Sequence, residues 1–513
     1  MFKNVKQSLT SLLGVSYMEG VARANEFFGK MSYDEAMAIA NEEVSFYDEA
    51  AQAKNDALLA KVGTQVITPM TPDNNDGAPT DAFRKAENKD ASPLGGYGCF
   101  RLGEDGKLYL IGKSEHYHAS LGHAFAGYKL IDNARKLGVL NATHNNTRGY
   151  ITRLHERRIV ASANGICDTD DEALDAIIAS KEKGVLNRII NLETGSLAVE
   201  AGVKMMLSRF YHLSPELPTP KYAGKTPVFF IMADVADGIT GNYHGTTVLT
   251  QTFRGLWEDF REKAENGGLW KVVSVRPNDV EDFKAKLEKY NSGNYKTAGF
   301  LHEIIMMNYG ATKLEPEYLK AVYDLCHACD TPTLCDEIQT GMWYDTIFLF
   351  RKYGLNPDFA VIGKGFPGGE YPASRIITTA EYDTLNQFGA LVTNGQEELA
   401  SLAYLITLKY VQEAGDELDR VSNILEDGFV ELCKKYPEKL VKASGKGYNI
   451  ALHFHSVEAA AAFTHELHDA CIDASAQLYK ANCVPGVLFK PPVIATEATV
   501  RYILKVLDEI LAK

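Results

Sequence analysis

An acidic residue and a lysine stand at the ends of two consecutive apolar segments in the middle of the chain. Asp336 closes the segment 332–336, and Lys364 follows the segment 358–363 in a Gly-Lys-Gly context. If both segments are parallel strands, their carboxyl ends meet at one edge of the sheet, where open α/β sheets bind ligands. A carboxylate and an amine at one site are suited to acid–base and nucleophilic chemistry. The alternative is that each is an ordinary solvated residue at the end of a strand.

Two more motifs follow predicted strands. Thr194-Gly195-Ser196 stands between a strand and a helix, so free backbone N–H groups and a hydroxyl would be available to a phosphate. Gly241-Asn242-Tyr243-His244-Gly245 offers an aromatic ring and an imidazole between glycines. The alternatives are an ordinary serine N-cap for the first motif and a glycine-rich turn for the second. Taken alone, the first motif is more typical of a serine N-cap than of a phosphate site, and the second could line a ligand site.

The elements that must position these residues are short apolar strands that alternate with helices. Nearly continuous apolar strands, separated by helices, predict a largely parallel sheet that is covered by helices on both faces. Between the last two strands there is only a short Gly/Pro loop, so that pair can include an antiparallel strand. The predicted strands are 188–192, 227–234, 270–275, 298–304, 332–336, 358–363 and 373–378. Helices are predicted at 196–210, 278–290 and 315–329.

The two ends of the chain have a different pattern. Residues 16–62 are rich in good helix formers, 69–97 are irregular, and 98–110 form a hairpin around Glu104-Asp105-Gly106-Lys107. After residue 394 the pattern changes to long helices at 396–413 and 415–435, a strand at 448–454 and a terminal helix at 496–512. We therefore expect an N-terminal helical extension with an irregular linker (1–97), an N-terminal segment of a small domain (98–165), a large domain (166–393) and a C-terminal small α/β domain (394–513).

Composition excludes several classes of protein. The chain has 513 residues, with 53 Lys+Arg against 67 Asp+Glu and a net charge of −14, which argues against nucleic acid as a main partner. No apolar run reaches the roughly 18 residues of a spanning helix. Eight cysteines without framework spacing favour the cytoplasm. Cys326-His327-Ala328-Cys329 lies in a helical stretch without a second Cys/His pair, so no metal site is predicted.

These motifs occur together in an order that is similar to that of a known family. Asp336-Glu337-Ile338-Gln339-Thr340-Gly341 precedes Lys364, and Thr194-Gly195-Ser196 and Tyr243-His244-Gly245 precede both. Over about 98–513 the chain resembles the class III aminotransferase family of fold-type I pyridoxal-phosphate enzymes, which includes ornithine, 4-aminobutyrate and ω-amino acid transaminases. The resemblance implies an α/β fold with a mostly parallel seven-stranded sheet and a smaller α/β domain, which is built from the N- and C-terminal parts.

The resemblance also implies roles for single residues. Lys364 would hold pyridoxal 5'-phosphate as a Schiff base and would then move a proton, while Asp336 would pair with the pyridine nitrogen. Gln339 would bond the ring's 3-oxygen. The remaining implied coenzyme contacts are Tyr243 and Ile338 on the two ring faces, His244 beside them, Gly195 and Ser196 at the phosphate, and Thr393 reaching the phosphate from the partner subunit of a homodimer.

The implied activity is transfer of an amino group from an amino-acid donor to an aldehyde, keto acid or keto sugar. An aminomutase or decarboxylase of the same fold is the main alternative, and a scaffold protein without coenzyme is a remote one. Small-molecule donors and acceptors are the expected partners.

The sequence departs from the family's pattern around the substrate. Glu303, which matches a glutamate near the family's substrate pocket, is followed by Ile304 and not by proline. Leu488 stands where members that bind a carboxylate often have arginine. If the substrate has a carboxylate at that end, another cation must meet it, and Arg375 is favoured over Lys490. The alternative is that Arg375 faces solvent or a neighbouring helix. His116 and His118 lie in a region that lines the substrate pocket in the family, so they are candidate substrate contacts, and a surface loop is the alternative.

Overall fold

A seven-stranded sheet forms the centre of the molecule. The computed structural model describes residues 1–70, 77–86, 92–114, 119–141, 147–232, 241–477 and 484–513. Every strand predicted for the sheet is present, which confirms the predicted fold class. In order across the sheet the strands are Leu186–Leu192, Ser374–Thr379, Phe359–Ile362, Thr333–Asp336, Tyr295–His302, Thr226–Met232 and Lys271–Val275.

The directions of the strands bring Asp336 and Lys364 to the same edge. Thr333–Asp336 runs parallel to Phe359–Ile362, with Asp336 opposite Val361. Both strands therefore end at the same side of the sheet, and Lys364 follows two residues after the second. Ser374–Thr379 is antiparallel to both of its neighbours, as the short loop before it allows.

Alternate side chains of the sheet enter two separate cores. In the strand Thr226–Met232, Phe229 and Ile231 pack in one apolar cluster, and Phe230 and Met232 pack in the other. All four side chains are fully buried, because helices cover both faces of the sheet. The helix Gly195–Leu207 lies very close to the sheet: a Cβ atom at Gly202 would be only 2.7 Å from Leu334 Cδ1.

The helices follow the predicted pattern in the middle of the chain but differ near its ends. The α-helices of the described residues are Leu9–Leu13, Val15–Phe27, Tyr33–Ala40, Glu49–Leu58, Asp81–Ala86, Lys129–Lys136, Tyr150–Asn164, Asp171–Ala179, Gly195–Leu207, Val248–Phe253, Glu258–Asn266, Val280–Lys289, Pro316–Ala328, Leu349–Lys352, Glu398–Lys435, Val457–Asp469 and Glu497–Leu511.

Two predicted helices are in fact one. The expectation of separate helices at 396–413 and 415–435 is wrong, because Glu398–Lys435 is continuous. Gly415 lies inside this helix, and a Cβ atom there would be 2.9 Å from the Cα of Asp345. The glycine therefore serves close packing and does not end the helix.

The N-terminal residues fold onto the rest of the protein. The predicted helical stretch 16–62 contains three helices, because Ser32 with Glu35 and Asp48 cap new helix starts. Asn55 anchors this region: its side-chain oxygen accepts from the Cys99 N–H at 3.0 Å, and its amide donates to Thr499 Oγ1 at 3.2 Å.

The remaining strands form small sheets. One contains Pro93–Tyr97, Phe100–Gly103, Leu108–Ile111 and Ile472–Asp473, and another contains Leu440–Lys446, Asn449–Phe454, Gly486–Phe489 and Ser475–Ala476. The strands Lys6–Gln7 and Val44–Ser45 pair, as do Ile305–Met306 and Thr312–Lys313. The predicted hairpin at 98–110 is confirmed.

The first of these sheets joins distant parts of the chain. Ile472 pairs with Leu110, and the buried Arg101 binds Asp473 through two bonds of 2.7 Å. Segments from the N- and C-terminal parts thus share one sheet. Pro93–Tyr97 belongs to it as well, so a boundary after residue 97 falls within a hairpin. The limits of the four domains stay a prediction.

Within the described ranges, no helix is both long enough and apolar enough to cross a membrane. The same residues contain no cluster of three or more His, Cys, Asp or Glu side chains that could hold a metal ion.

Candidate active site

A cavity of about 540 Å³ opens at the carboxyl ends of the central strands. It brings together most of the residues that the sequence motifs single out. Its described lining consists of Glu193, Thr194, Gly195, Ser196, Tyr243, His244, Gly245, Glu303, Asn308, Asp336, Ile338, Gln339, Lys364, Gly369, Tyr371, Pro372 and Ala373.

The carboxylate of Asp336 is buried and held from two sides. His244 Nδ1 lies 2.8 Å from Asp336 Oδ2, and the backbone N–H of Ile338 donates to Oδ1 at 3.1 Å. Because a carboxylate only accepts, the Nδ1 proton belongs to the imidazole. His244 Nε2 is buried without a hydrogen-bond partner among the described residues. The carboxylate therefore has a fixed orientation at the cavity wall.

Lys364 has a backbone conformation that is uncommon for a residue with a side chain. Its φ is +50°, in the left-handed region, directly after the strand Phe359–Ile362. The following residue, Gly365, is held by the Ser120 hydroxyl, which donates to its carbonyl oxygen. A Cβ atom at Gly365 would lie 2.8 Å from the Trp343 ring, so only glycine fits there. Packing around the loop thus directs the Lys364 amine to the cavity.

The helix Gly195–Leu207 points its N-terminus at the cavity. In the described part of the chain, the Thr194 side chain makes no capping bond to this helix, so the first N–H groups stay available. Ser196 Oγ accepts from the Thr246 N–H at 3.1 Å. Gly245 has a φ of +135°, and a Cβ atom there would be 2.8 Å from the Ser196 Cα. The result is a compact set of donors beside the positive end of a helix.

Glu303 is a second buried acid in the wall. Asn242 Nδ2 donates to Glu303 Oε1 at 2.5 Å, and Oε2 has no bond to any described residue. Burial raises the pKa of Glu303 well above its usual value, and the nearby Asp336 adds to this, while Lys364 and Lys490 oppose it. Desolvation disfavours the charged form of a buried carboxyl group. Glu303 therefore holds a proton more tightly than an exposed glutamate does.

Tyr243 and Gln339 also reach the cavity. Arg254 lies over the Tyr243 ring at 5.2 Å from its centroid, and burial raises the pKa of the phenol. Gln339 Oε1 accepts a bond of 3.0 Å from Lys490 Nζ. Both side chains are thus held by cations that do not line the cavity.

Arg375 does not reach the cavity, so its predicted contact with substrate requires correction. Its side chain is fully buried, with Nη1 donating to the Ser374 carbonyl at 2.8 Å and the guanidinium 4.8 Å from the Tyr404 ring centroid. Arg375 stands two residues after Ala373, which does line the cavity, but its side chain lies between the sheet and the helix Glu398–Lys435.

The structure describes one of the three other predicted contacts. Thr393 is exposed and is not part of the cavity wall of its own chain. His116 and His118 fall outside the described residues.

Sequence reasoning gave no role to Asn242 and Asn308. Asn242 stands in the Gly241–Gly245 motif, one residue before Tyr243, and this position was its only signal. Asn308 lies five residues after Glu303 in a buried turn of the 3₁₀ type, Met307–Tyr309. Neither asparagine could be assigned to the site without knowing which strand ends lie side by side.

Comparison with known proteins identifies the family. The sequence profile described as Aminotransferase class-III matches residues 124–511. Acetylornithine aminotransferase of Caldanaerobacter subterraneus is 26% identical over 281 residues, which are 53% of this chain and 66% of that protein, just under two thirds. Putrescine aminotransferase of Pectobacterium atrosepticum is 24% identical over 411 residues, 75% of this chain and 79% of that protein.

Solved structures share the fold. The adenosylmethionine-8-amino-7-oxononanoate aminotransferase of Methanocaldococcus jannaschii has a TM-score of 0.64 at 18% identity, covering 85% of this chain and 95% of that one. The ornithine aminotransferase of Toxoplasma gondii has a TM-score of 0.63 at 18% identity, covering 84% and 93%. The match of the family profile to most of the chain confirms the resemblance seen in the motifs: the chain belongs to the class-III aminotransferase family, whose coenzyme is pyridoxal 5'-phosphate.

Proposed function

We propose that this protein transfers an amino group from an amino-acid donor to an aldehyde, keto acid or keto sugar, with Lys364 as its central residue. The observation that carries the proposal is that Lys364, Asp336 and the N-terminus of Gly195–Leu207 face one cavity. The alternative reactions, aminomutation and decarboxylation, would use the same coenzyme site.

The residues of the cavity fit pyridoxal phosphate. The available N–H groups near Gly195, with the Ser196 hydroxyl, would hold its phosphate. Ile338 stands against Gly195, where a Cβ atom would come within 2.5 Å of its Cδ1, and would support one ring face, with Tyr243 on the other. Gln339 and His244 would complete the ring's surroundings.

Bound there, the coenzyme supplies a carbon that carries the amino group and a ring that accepts the electron pair released from the donor. The Asp336 carboxylate, fixed by His244 and Ile338, would keep a proton on the ring nitrogen. Lys364 Nζ would hold the coenzyme and, once released, would take up the proton from the donor carbon that bears the amino group. The Glu303 carboxyl group, whose pKa is raised by burial, would face the substrate.

The test is a half-reaction with protein reconstituted with pyridoxal phosphate. We expect one donor among glutamate, alanine, ornithine and acetylornithine to convert the bound coenzyme to its amine form, seen as loss of its visible absorption. An acceptor should restore that absorption. Carbon dioxide release without formation of the amine form would indicate a decarboxylase, and label that moves within one substrate would indicate an aminomutase. A protein that takes up no coenzyme would contradict every reading except that of a scaffold.

We propose further that the protein is a homodimer whose sites each use Thr393 of the other subunit. Thr393 is exposed and stands apart from the cavity of its own chain, as such a contact requires. In a two-fold dimer the contact is reciprocal. If so, mixing Lys364→Ala chains with Thr393→Val chains leaves one intact site in each heterodimer, about a quarter of all sites after random exchange.

That mixture should be more active at limiting coenzyme than either variant alone. If Thr393 served its own subunit, no heterodimer would have an intact site, and mixing would restore nothing. A monomeric mass for the active protein would also contradict the proposal.

We also propose the cytoplasm as the working compartment. Support comes from the seven described cysteines, which are all free thiols. A fluorescent fusion that is exported or membrane-associated would contradict this location.

A further inference from the structure

Lys490 lies behind the cavity wall and is held rigidly. It directly follows the strand Gly486–Phe489, and its side chain is fully buried. Its N–H donates to the Gly112 carbonyl at 2.7 Å, and its carbonyl accepts from the Ser114 N–H at 2.8 Å. Because its backbone is bonded on both sides, the buried amine has a defined place.

Among the residues that the structure describes, the Lys490 amine contacts Gln339 and Trp343 next to the site. Lys490 Nζ donates to Gln339 Oε1 at 3.0 Å and lies 3.9 Å from the centroid of the Trp343 ring. An ammonium group has donors and no acceptor, so the amide oxygen of Gln339 must face it. The Nε2 end of the amide is then turned to the other side, where Gln339 lines the cavity.

Trp343 connects the same segment to the loop that bears Lys364. Its indole N–H donates to the Pro491 carbonyl at 3.4 Å, and its ring packs against Gly365. Lys490 thus contacts Gln339, and both Lys490 and Pro491 contact Trp343, whose ring packs against the loop that bears Lys364.

We propose that Lys490 is a positioning residue that fixes the Gln339 amide with its N–H donors toward the coenzyme. This inference rests on the proposed function, because it takes pyridoxal phosphate as the occupant of the cavity. The coenzyme atom that faces the Gln339 amide would then be a hydrogen-bond acceptor, such as an oxygen on the ring. Lys490 would act on coenzyme binding through Gln339 and would not touch the coenzyme or the substrate.

A double-mutant cycle on coenzyme affinity tests the proposal. Apo forms of wild type, Lys490→Met, Gln339→Ala and the double variant are titrated with pyridoxal phosphate by equilibrium dialysis. We expect Lys490→Met to raise Kd roughly three- to tenfold when Gln339 is present, since an amide free to turn loses one oriented bond. In the Gln339→Ala background the same change should alter Kd by less than about twofold.

Lys296→Met is the matched control. Lys296 is another buried lysine, but it donates to Asn291 and to the Cys329 carbonyl, away from the cavity, and its removal should leave Kd unchanged. The proposal would be overturned if Lys490→Met raised Kd equally with and without Gln339. It would also be overturned if Lys490→Met left Kd unchanged in the protein that retains Gln339. A wild type that binds no pyridoxal phosphate would instead defeat the proposed function itself.

A second variant keeps the proposal testable if Lys490→Met does not fold. Gln339→Glu retains an acceptor for Lys490 but offers no N–H to the cavity. If donors face the coenzyme, this change should weaken its binding at least as much as Gln339→Ala does. Binding equal to that of wild type would mean that Gln339 presents its oxygen to the cavity, and the proposal would be wrong.

Discussion

Lys364→Ala is expected to lower the rate of amino transfer by a factor on the order of 10⁴ or more, because one change removes both the covalent anchor and the base. The side chain lies at the cavity wall on a backbone with a φ of +50°, and the packing of Gly365 holds the loop in that conformation. Alanine keeps the same backbone geometry, so the loss should be chemical and not structural.

Borohydride reduction followed by peptide mass analysis measures the anchor directly. Wild type should carry the reduced coenzyme on the peptide that contains Lys364, and the variant should carry none. Lys286→Ala is the matched control, because Lys286 bonds Asp282 and the Ser274 carbonyl on a helix remote from the cavity. A Lys364→Ala protein that keeps its rate would contradict the assignment, as would coenzyme attached at another lysine.

Asp336→Asn should slow the reaction about 10³-fold while coenzyme still binds. Asparagine has nearly the same shape, so its oxygen can still accept from the Ile338 N–H, and its Nδ2 can donate to His244 Nδ1 once the imidazole carries its proton on Nε2. The charge that would keep the ring nitrogen protonated is lost, however, and proton removal from the donor carbon should become limiting. Kinetics of the half-reaction with a deuterated donor would show this as a larger isotope effect.

The neighbouring carboxyl group supplies the control. Glu337 is buried beside Asp336 but faces away from the cavity, where it accepts from the Thr340 hydroxyl and the Phe350 N–H at 2.5 and 2.7 Å. Burial raises the pKa of Glu337 to about 7, so a neutral glutamine resembles a form that the fold already accommodates. Glu337→Gln should retain most of the activity. Equal losses in both variants would point to damage of the strand end and not to a role for the Asp336 charge.

The sequence alone was sufficient for the central sheet and for the residues that end its strands. Apolar strands of four to eight residues alternate with helices, and this pattern can be recognised from residues that are neighbours in the chain. The rule that parallel strands end at one edge was enough to place Asp336 and Lys364 at the same cavity. The position of a helix start was enough to place Gly195 and Ser196 there. These inferences succeeded because each depends on residues that are close in sequence.

Tertiary structure alone decided which side chains reach the cavity. Arg375 stands two residues from Ala373 in the lining, yet its side chain is buried, because the neighbouring helix offers it the Tyr404 ring and the Ser401 hydroxyl, and the sheet offers a carbonyl group. Lys490 meets Gln339 across 151 positions of the chain, and Asn242 meets Glu303 across 61. Such pairs have no local pattern, since they arise only when separate strands pack side by side and buried polar groups must find partners.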